Sequence, residues 1–179
     1  MIYFVRHGEA AASWGEHPDP GLSDKGWIQA EAVATRLIAM DISAALTSPM
    51  TRCQETASAY AEVSGKPLTI EPYVTEIPTP GDVEDRRTWL RNLMAGDWDE
   101  APDLVQTWRS NLLKTVSQLP DNTVVFSHFI AINAIVGHLT GPSSVTVFRP
   151  NYCSITVLER KGSELTLVEQ GDSLDTRVL

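Results

Sequence analysis

The chain opens with the sequence IYFVRHG, which spans residues 2–8. Its first four residues form an unbroken apolar run, a pattern typical of a short strand that is buried on both faces of a sheet. The apolar run is followed directly by Arg6, His7 and Gly8, so charged and polar side chains should lie at the carboxyl end of this strand. We therefore predict a buried first strand with candidate functional residues at its end.

Helical and strand patterns alternate along the rest of the chain. Ser23 is a typical helix N-cap, and apolar residues recur behind it at helical spacing to about Met40. The other predicted elements are a strand at Ile42–Thr47, a helix at Met50–Ser64, a strand at Leu68–Ile70, a helix opened by Pro102, a strand at Thr123–Ser127, a helix from Phe129 or Ile130 to Leu139, and a hairpin of Ser154–Glu159 with Glu164–Val168. This order predicts an α/β fold with a mainly parallel sheet, helices on both faces and an antiparallel hairpin at one end.

Length and composition narrow the class of protein. The 179 residues predict a single domain over 1–179, and no apolar run reaches the roughly 18 residues of a membrane-spanning helix. Acidic residues outnumber Lys and Arg by 23 to 14, which disfavours binding to nucleic acid or to an anionic membrane.

The cysteine content and the N-terminus bear on the cellular compartment. The chain has two cysteines, Cys53 and Cys153, which are too few for a disulfide framework or a zinc site. The N-terminus has no secretory signal pattern, so we expect a cytoplasmic protein; the oligomeric state is not indicated.

Residues 71–103 differ in character from the alternating pattern around them. They contain nine acidic residues and three arginines, a net charge of −6, and a helix is predicted at Val83–Met94 between turn signals. We expect this segment to leave the sheet as an excursion that covers a site.

Charged and imidazole side chains follow three of the predicted strands. Arg6 and His7 follow the first strand, Arg52 the second, and His128 the strand at Thr123–Ser127. In a doubly wound sheet the carboxyl ends of the strands converge on one crevice. Two guanidiniums suit a phosphate, and a neutral imidazole is a nucleophile near neutral pH. The set favours phosphoryl transfer, which depends mostly on positioning and charge stabilisation.

Such a reaction also needs an acid that protonates the leaving oxygen. Glu76 is the first candidate, because it lies in the excursion beside the crevice between Val74 and Ile77. Glu9 is the second candidate. We expect no metal ion and no cofactor, because no group of carboxylates, cysteines or histidines has the spacing of a metal site.

Four sequence motifs together resemble one known family. They are FVRHGE at residues 4–9, LSDKG at residues 22–26, SPMTR at residues 48–52 and FSH at residues 126–128. In this order they resemble the signature of the histidine phosphatase superfamily, which includes the cofactor-dependent phosphoglycerate mutases. The resemblance implies a three-layer α/β/α sandwich. It also implies that His7 is the phosphorylated nucleophile, that Arg6, Arg52 and His128 form the phosphate pocket, and that an acid near Glu76 donates the proton.

The chain departs from that family at three points. Ala10 and Ser13 stand where relatives often carry Ser or Thr and then Asn, and Phe129 stands where Gly commonly follows the second His. The long segment that carries the acid in the mutases is absent, which favours hydrolysis over mutase chemistry. We expect Gly8, Ser13 and Phe129 to contact the substrate.

The sequence therefore predicts a metal-independent phosphomonoesterase that acts on a phosphorylated small molecule through a phosphohistidine on His7. Three alternatives remain open. They are a phosphoglycerate mutase, a protein phosphatase that acts on phosphohistidine, and a non-catalytic phosphate-binding protein on the same fold.

Overall fold

A computed structural model describes residues 1–12 and 17–173 of the chain. The strands are β1 (Ile2–Arg6), β2 (Ala44–Thr47), β3 (Leu68–Ile70), β4 (Thr123–Ser127), β5 (Ile155–Lys161) and β6 (Glu164–Glu169). The α-helices are α1 (Asp24–Ile38), α2 (Thr51–Ser64), α3 (Arg86–Ala95), α4 (Asp103–Gln118) and α5 (Phe129–Thr140). None of the helices in the described ranges is long and apolar enough to span a membrane.

The six strands form one mixed sheet in the order β3-β2-β4-β1-β5-β6. Strands β1, β2, β3 and β4 pair in parallel, whereas β5 runs antiparallel to both β1 and β6. The predicted parallel sheet with an antiparallel hairpin at one end is thereby confirmed.

The strands bury side chains on both faces of the sheet. Phe4 and Val125 pack into a core with α3, α4 and α5, whereas Val5 and Phe126 pack into a second core with α1 and α2. Successive side chains of a strand point to opposite faces, which explains why the consecutive residues 2–5 of β1 and 124–126 of β4 are all apolar. The result is the three-layer α/β/α arrangement that the resemblance implied.

Some element boundaries differ from the sequence predictions. Helix α3 begins at Arg86 instead of Val83, because the Asp85 side chain accepts a hydrogen bond from the Thr88 amide and caps the helix there. Strand β2 begins at Ala44 instead of Ile42. In the hairpin, β5 continues to Lys161, because Gly162 turns the chain with a left-handed φ of 66°.

The segment at residues 71–103 is anchored to the end of the sheet. The Ser127 hydroxyl donates to the Val74 carbonyl at 2.7 Å, and the Trp108 indole donates to the Thr75 carbonyl at 3.3 Å. Val74 and Ile77 are buried in the core beside α4 and α5. These contacts fix Glu76, which lies between the two buried residues, at the carboxyl end of β4.

Candidate active site

Two imidazoles lie side by side at the carboxyl ends of the central strands. Arg6 and Ser127 are paired in the parallel register of β1 and β4, so the next residues, His7 and His128, emerge next to each other. Their ring centroids are 5.3 Å apart. Arg52, in the first turn of α2 after β2, reaches the same place, as the strand topology predicts.

The backbone fixes which nitrogen of His7 faces the site. His7 Nδ1 lies 2.7 Å from the Gly8 carbonyl oxygen. A carbonyl oxygen only accepts hydrogen bonds, so Nδ1 carries the proton. Nε2 is then the unprotonated nitrogen, and it accepts a hydrogen bond from Arg52 Nε at 3.2 Å.

Both imidazoles are held neutral. Burial lowers the pKa of His7 well below its ordinary value, and the charges of His128, Arg52 and Arg6 lower it further. Burial likewise lowers the pKa of His128, with the arginine charges as the next cause. A neutral imidazole keeps the lone pair that a nucleophile needs.

Arg52 joins the groups of the cluster. Its Nη2 donates to Glu76 Oε2 at 3.0 Å and lies 3.2 Å from His128 Nδ1. Its Nη1 lies 3.9 Å from Asp19 Oδ1. Because Arg52 is only 5% exposed, these charged contacts are shielded from water and are stronger than surface pairs.

His128 is completely buried and is contacted on both nitrogens. Nε2 lies 2.8 Å from the Ser48 hydroxyl, and Nδ1 lies 3.5 Å from Glu76 Oε2. The Cys53 sulfur is 3.4 Å from Nε2, but burial raises the pKa of this thiol far above its ordinary value. Cys53 therefore stays protonated and is not a nucleophile.

Of the two candidate acids, only Glu76 joins the cluster of His7, Arg52 and His128. Its side chain is 10% exposed, and its Oε1 accepts a hydrogen bond from the Ile77 amide at 3.1 Å. Glu9 instead accepts from the Ser23 hydroxyl at 2.9 Å and pairs with Lys25 at the start of α1. That contact ties Glu9 to the helix cap.

Arg6 is oriented by one carbonyl and two aromatic rings. Its Nη1 donates to the Pro150 carbonyl at 2.9 Å. Its guanidinium carbon lies 4.0 Å from the centroid of the Tyr152 ring and 5.2 Å from that of the Phe129 ring. Phe129, at the first position of α5, thus lies against Arg6.

Gly8 lies where two backbone segments approach closely. A Cβ atom at this position would be 2.7 Å from the Gly26 carbonyl oxygen of α1. The Gly8 amide donates to the Thr56 hydroxyl at 3.0 Å, and its carbonyl is the group that orients His7. Both polar groups of Gly8 therefore contact the protein itself. Ser13 lies outside the described residues.

Sequence reasoning missed three residues that contact the cluster. Ser48 could have been predicted from the sequence, because it is the first residue of the SPMTR motif. Tyr152 and Asp19 lie in loops without periodic pattern. Asp19 accepts from the Thr51 amide at 2.9 Å and caps α2, whose own N-cap residue makes no side-chain cap.

The model of the histidine phosphatase superfamily (branch 1) matches residues 2–173 of the chain. The chain belongs to the histidine phosphatase superfamily. The family assignment and the fold from the sequence are therefore confirmed.

The chain is also similar to curated proteins and, in its fold, to solved structures. The chain is 26% identical to a probable phosphoglycerate mutase GpmB from Erwinia tasmaniensis, over 91% of this chain and 86% of the relative. It is 34% identical to the uncharacterized protein Rv0525 from Mycobacterium tuberculosis, over 56% of this chain and 57% of the relative.

Among solved structures, the fold is similar to a putative α-ribazole-5'-P phosphatase from Escherichia coli, with a TM-score of 0.77, 20% identity and 96% of each chain covered. It is also similar to a phosphoserine phosphatase from Entamoeba histolytica, with a TM-score of 0.74, 19% identity and 97% of each chain covered.

The cluster has the parts that phosphoryl transfer needs. The guanidiniums of Arg6 and Arg52 can donate to phosphoryl oxygens, the neutral imidazole of His7 contacts Arg52, and the carboxyl group of Glu76 lies 3.0 Å from Arg52. Within residues 1–12 and 17–173, no group of three or more His, Cys, Asp or Glu side chains is arranged to hold a metal ion.

Proposed function

We propose that this protein is a cytoplasmic phosphomonoesterase that hydrolyses a phosphorylated small molecule through a phosphohistidine on His7. The observation that supports the proposal most directly is the placement of the His7 ring: Nδ1 lies 2.7 Å from the Gly8 carbonyl oxygen, which assigns the proton to Nδ1, and the Nε2 lone pair accepts from Arg52 Nε. Free thiols at Cys53 and Cys153 are usual in a reducing compartment. No metal ion or cofactor takes part in the proposed reaction.

In the first step the phosphoryl group of the substrate is bound by Arg6, Arg52 and His128. Arg52 Nε turns from His7 Nε2 to a phosphoryl oxygen, which frees the lone pair of the nucleophile. His7 Nε2 then attacks phosphorus in line with the ester bond, and that bond breaks. As Arg52 turns to the phosphoryl group, Glu76 takes up a proton from solvent, and it gives this proton to the leaving oxygen, so the product alcohol departs neutral.

In the second step water hydrolyses the phosphohistidine. The Glu76 carboxylate takes a proton from the water, whose oxygen attacks phosphorus as the N–P bond breaks. His7 returns to the neutral form, Glu76 is protonated again and inorganic phosphate leaves. Throughout, the Gly8 carbonyl stabilises the charge on the ring of His7 by accepting from Nδ1–H.

His128 is proposed to bind the phosphoryl group as a second imidazole. The Ser48 hydroxyl contacts Nε2, so Nδ1 is the nitrogen that faces the cluster. The negative charge of a bound phosphoryl group opposes the effect of the arginines and favours protonation of this nitrogen. The protonated ring then donates to a phosphoryl oxygen from Nδ1.

A phosphoglycerate mutase is the second candidate, because several curated relatives carry that name as probable activity. A mutase must bind a doubly phosphorylated intermediate and protect its phosphoenzyme from water. The net charge of −6 over residues 71–103 opposes a doubly anionic ligand. Hydrolysis is therefore the proposed outcome.

Turnover of a panel of phosphorylated metabolites and of p-nitrophenyl phosphate tests the proposal. We expect phosphate release that is unchanged by a chelator, with His7→Ala as the inactive control. Conversion of 3-phosphoglycerate to 2-phosphoglycerate faster than phosphate release would favour the mutase. Loss of turnover with chelator, restored by one divalent ion, would contradict the metal-independent reaction.

A further inference from the structure

The two arginines of the cluster are oriented by different means. Arg52 is held by carboxylates, with Glu76 Oε2 at 3.0 Å and Asp19 Oδ1 at 3.9 Å. Arg6 is held by the Pro150 carbonyl at 2.9 Å and by the face of the Tyr152 ring at 4.0 Å. A neutral ring leaves the full positive charge of Arg6 available to an anionic ligand, which a carboxylate partner would not.

One donor of Arg6 is unused within the described residues. Its Nε is buried and has no hydrogen-bond partner there, and the whole residue is 6% exposed. A buried donor without a partner is costly, so such a group at a candidate site points to a ligand as the missing acceptor. The direction in which this donor points is set by the plane of the guanidinium.

Tyr152 is itself fixed to the strand that carries Arg6. The amide of Cys153 donates to the Arg6 carbonyl at 3.0 Å, and the amide of Arg6 donates to the Ser154 carbonyl at 3.3 Å. Cys153 has a left-handed φ of 55°, a conformation that costs a residue with a side chain and that clusters at functional sites. The strained turn thus sets Tyr152 over Arg6, with its ring 6.0 Å from the ring of His7.

We propose that Tyr152 is a positioning residue whose ring holds the Arg6 guanidinium in the plane that aims its free donor at a phosphoryl oxygen. The proposal rests on the proposed function, because it takes the phosphoryl group as the ligand. An arginine stacked on an aromatic face keeps its N–H edges free for hydrogen bonds. The Phe129 ring lies farther from the guanidinium, at 5.2 Å, so Tyr152 is the nearer support.

Binding of inorganic phosphate and hydrolysis of p-nitrophenyl phosphate measure the effect. Tyr152→Leu should raise the Kd of phosphate and the KM about tenfold, the loss of a desolvated cation–π contact. Tyr152→Phe keeps the ring face and loses only the hydroxyl interaction with Arg6, so it should lose clearly less than Tyr152→Leu. Tyr73→Leu, at a tyrosine that is 52% exposed, is the control. Equal losses in Tyr152→Phe and Tyr152→Leu would overturn the proposal.

A double-mutant cycle with Arg6→Ala separates positioning from a merely structural role. If Tyr152 acts through Arg6, Tyr152→Leu should change phosphate binding less than twofold once Arg6 is absent. The same tenfold loss in both backgrounds would overturn the proposal. Tyr152→Met fills a similar space without an aromatic face and takes the place of Tyr152→Leu should that variant not fold.

Failure of the proposed function gives a different result. Wild-type protein would then bind phosphate without hydrolysing any phosphomonoester, and the cycle in phosphate binding would still decide the role of Tyr152. Wild-type protein that binds no phosphate at all would overturn both proposals.

Discussion

Arg52 is the residue that contacts most of the proposed catalytic groups. Its guanidinium reaches His7, Glu76 and His128 at 3.0–3.2 Å. In the proposed reaction the same donors turn to the phosphoryl oxygens, so one side chain both restrains the free nucleophile and stabilises the transition state. Activity should therefore depend on the planar shape of the Arg52 guanidinium as well as on its positive charge.

Arg52→Ala should lower turnover by about 10²- to 10³-fold, the range for loss of one preorganised donor aimed at transition-state charge. Arg52→Lys should recover only part of this loss, because an ammonium group lacks the planar fork. Steady-state kinetics measures both, and Arg36→Ala, at an exposed arginine, is the control. Equal activity of Arg52→Lys and wild type would show that the fork is not used.

Glu76→Gln should slow hydrolysis of alkyl phosphates far more than hydrolysis of p-nitrophenyl phosphate. An alkoxide leaves only when it is protonated, whereas a nitrophenolate is stable without an acid. The substitution should also remove the alkaline limb of the pH–rate profile for the alkyl substrate. If hydrolysis of both substrates slows by the same factor, Glu76 is not the acid. Glu9→Gln, which changes the carboxylate at the cap of α1, is the matched control variant.

At the level of the elements, the contact between the end of β1 and the start of α1 positions His7. Gly8→Ala would place a methyl group 2.7 Å from the Gly26 carbonyl oxygen, so one backbone segment must move. We expect a loss of about 2 kcal/mol in the free energy of unfolding, typical of overpacking, and at least a tenfold loss of activity, because the Gly8 carbonyl orients His7.

Urea unfolding and turnover of the two variants Gly8→Ala and Gly81→Ala check this prediction. A Cβ at Gly81 has no atom within 4 Å, so that variant should behave as wild type. Wild-type activity in Gly8→Ala would mean that this close approach does not position His7.

The elements with strong local signals were predictable from the sequence. Ser23 caps α1 as expected, and the apolar runs of β1 and β4 predicted two buried strands of a mainly parallel sheet. The position of Arg6, His7 and His128 in one place was predictable too, because the carboxyl ends of parallel strands share one edge of the sheet. Strand β2 begins later than predicted, because the amides of Ile42 and Ser43 donate to the Met40 and Asn122 carbonyls instead of pairing in the sheet.

The contacts that come from loops were not predictable in the same way. Tyr152 reaches Arg6 through a left-handed turn at Cys153, a conformation that residue type alone does not indicate outside glycine. Asp19 caps α2 from a distant loop, and no periodicity links the two segments. Such contacts depend on tertiary packing rather than on local pattern.

At the scale of the whole molecule, the buried imidazoles make stability depend on pH. The pKa of His7 and of His128 is lowered well below the ordinary value by burial and by the arginines, whereas an unfolded histidine titrates near a pKa of about 6.5. Below that pH the unfolded chain binds more protons than the folded protein. Stability is therefore full above about pH 6.5 and falls as the pH is lowered towards the folded pKa values.

Urea unfolding between pH 8 and pH 5 measures this dependence. His128→Gln should flatten it relative to wild type, because one buried neutral imidazole is removed, whereas His138→Gln, at an exposed histidine, should not. Parallel curves for wild type and His128→Gln would contradict the assignment of a lowered pKa to His128.

The central claim is that His7 becomes phosphorylated, and rapid quenching with a substrate labelled in its phosphoryl group tests it most directly. We expect a labelled protein whose phosphorus–nitrogen bond is stable in alkali and labile in acid, with the label on His7. His7→Ala should carry none of it, and Glu76→Gln should still be labelled by p-nitrophenyl phosphate. Label that persists in His7→Ala, or turnover of wild type without any labelled protein, would contradict the account.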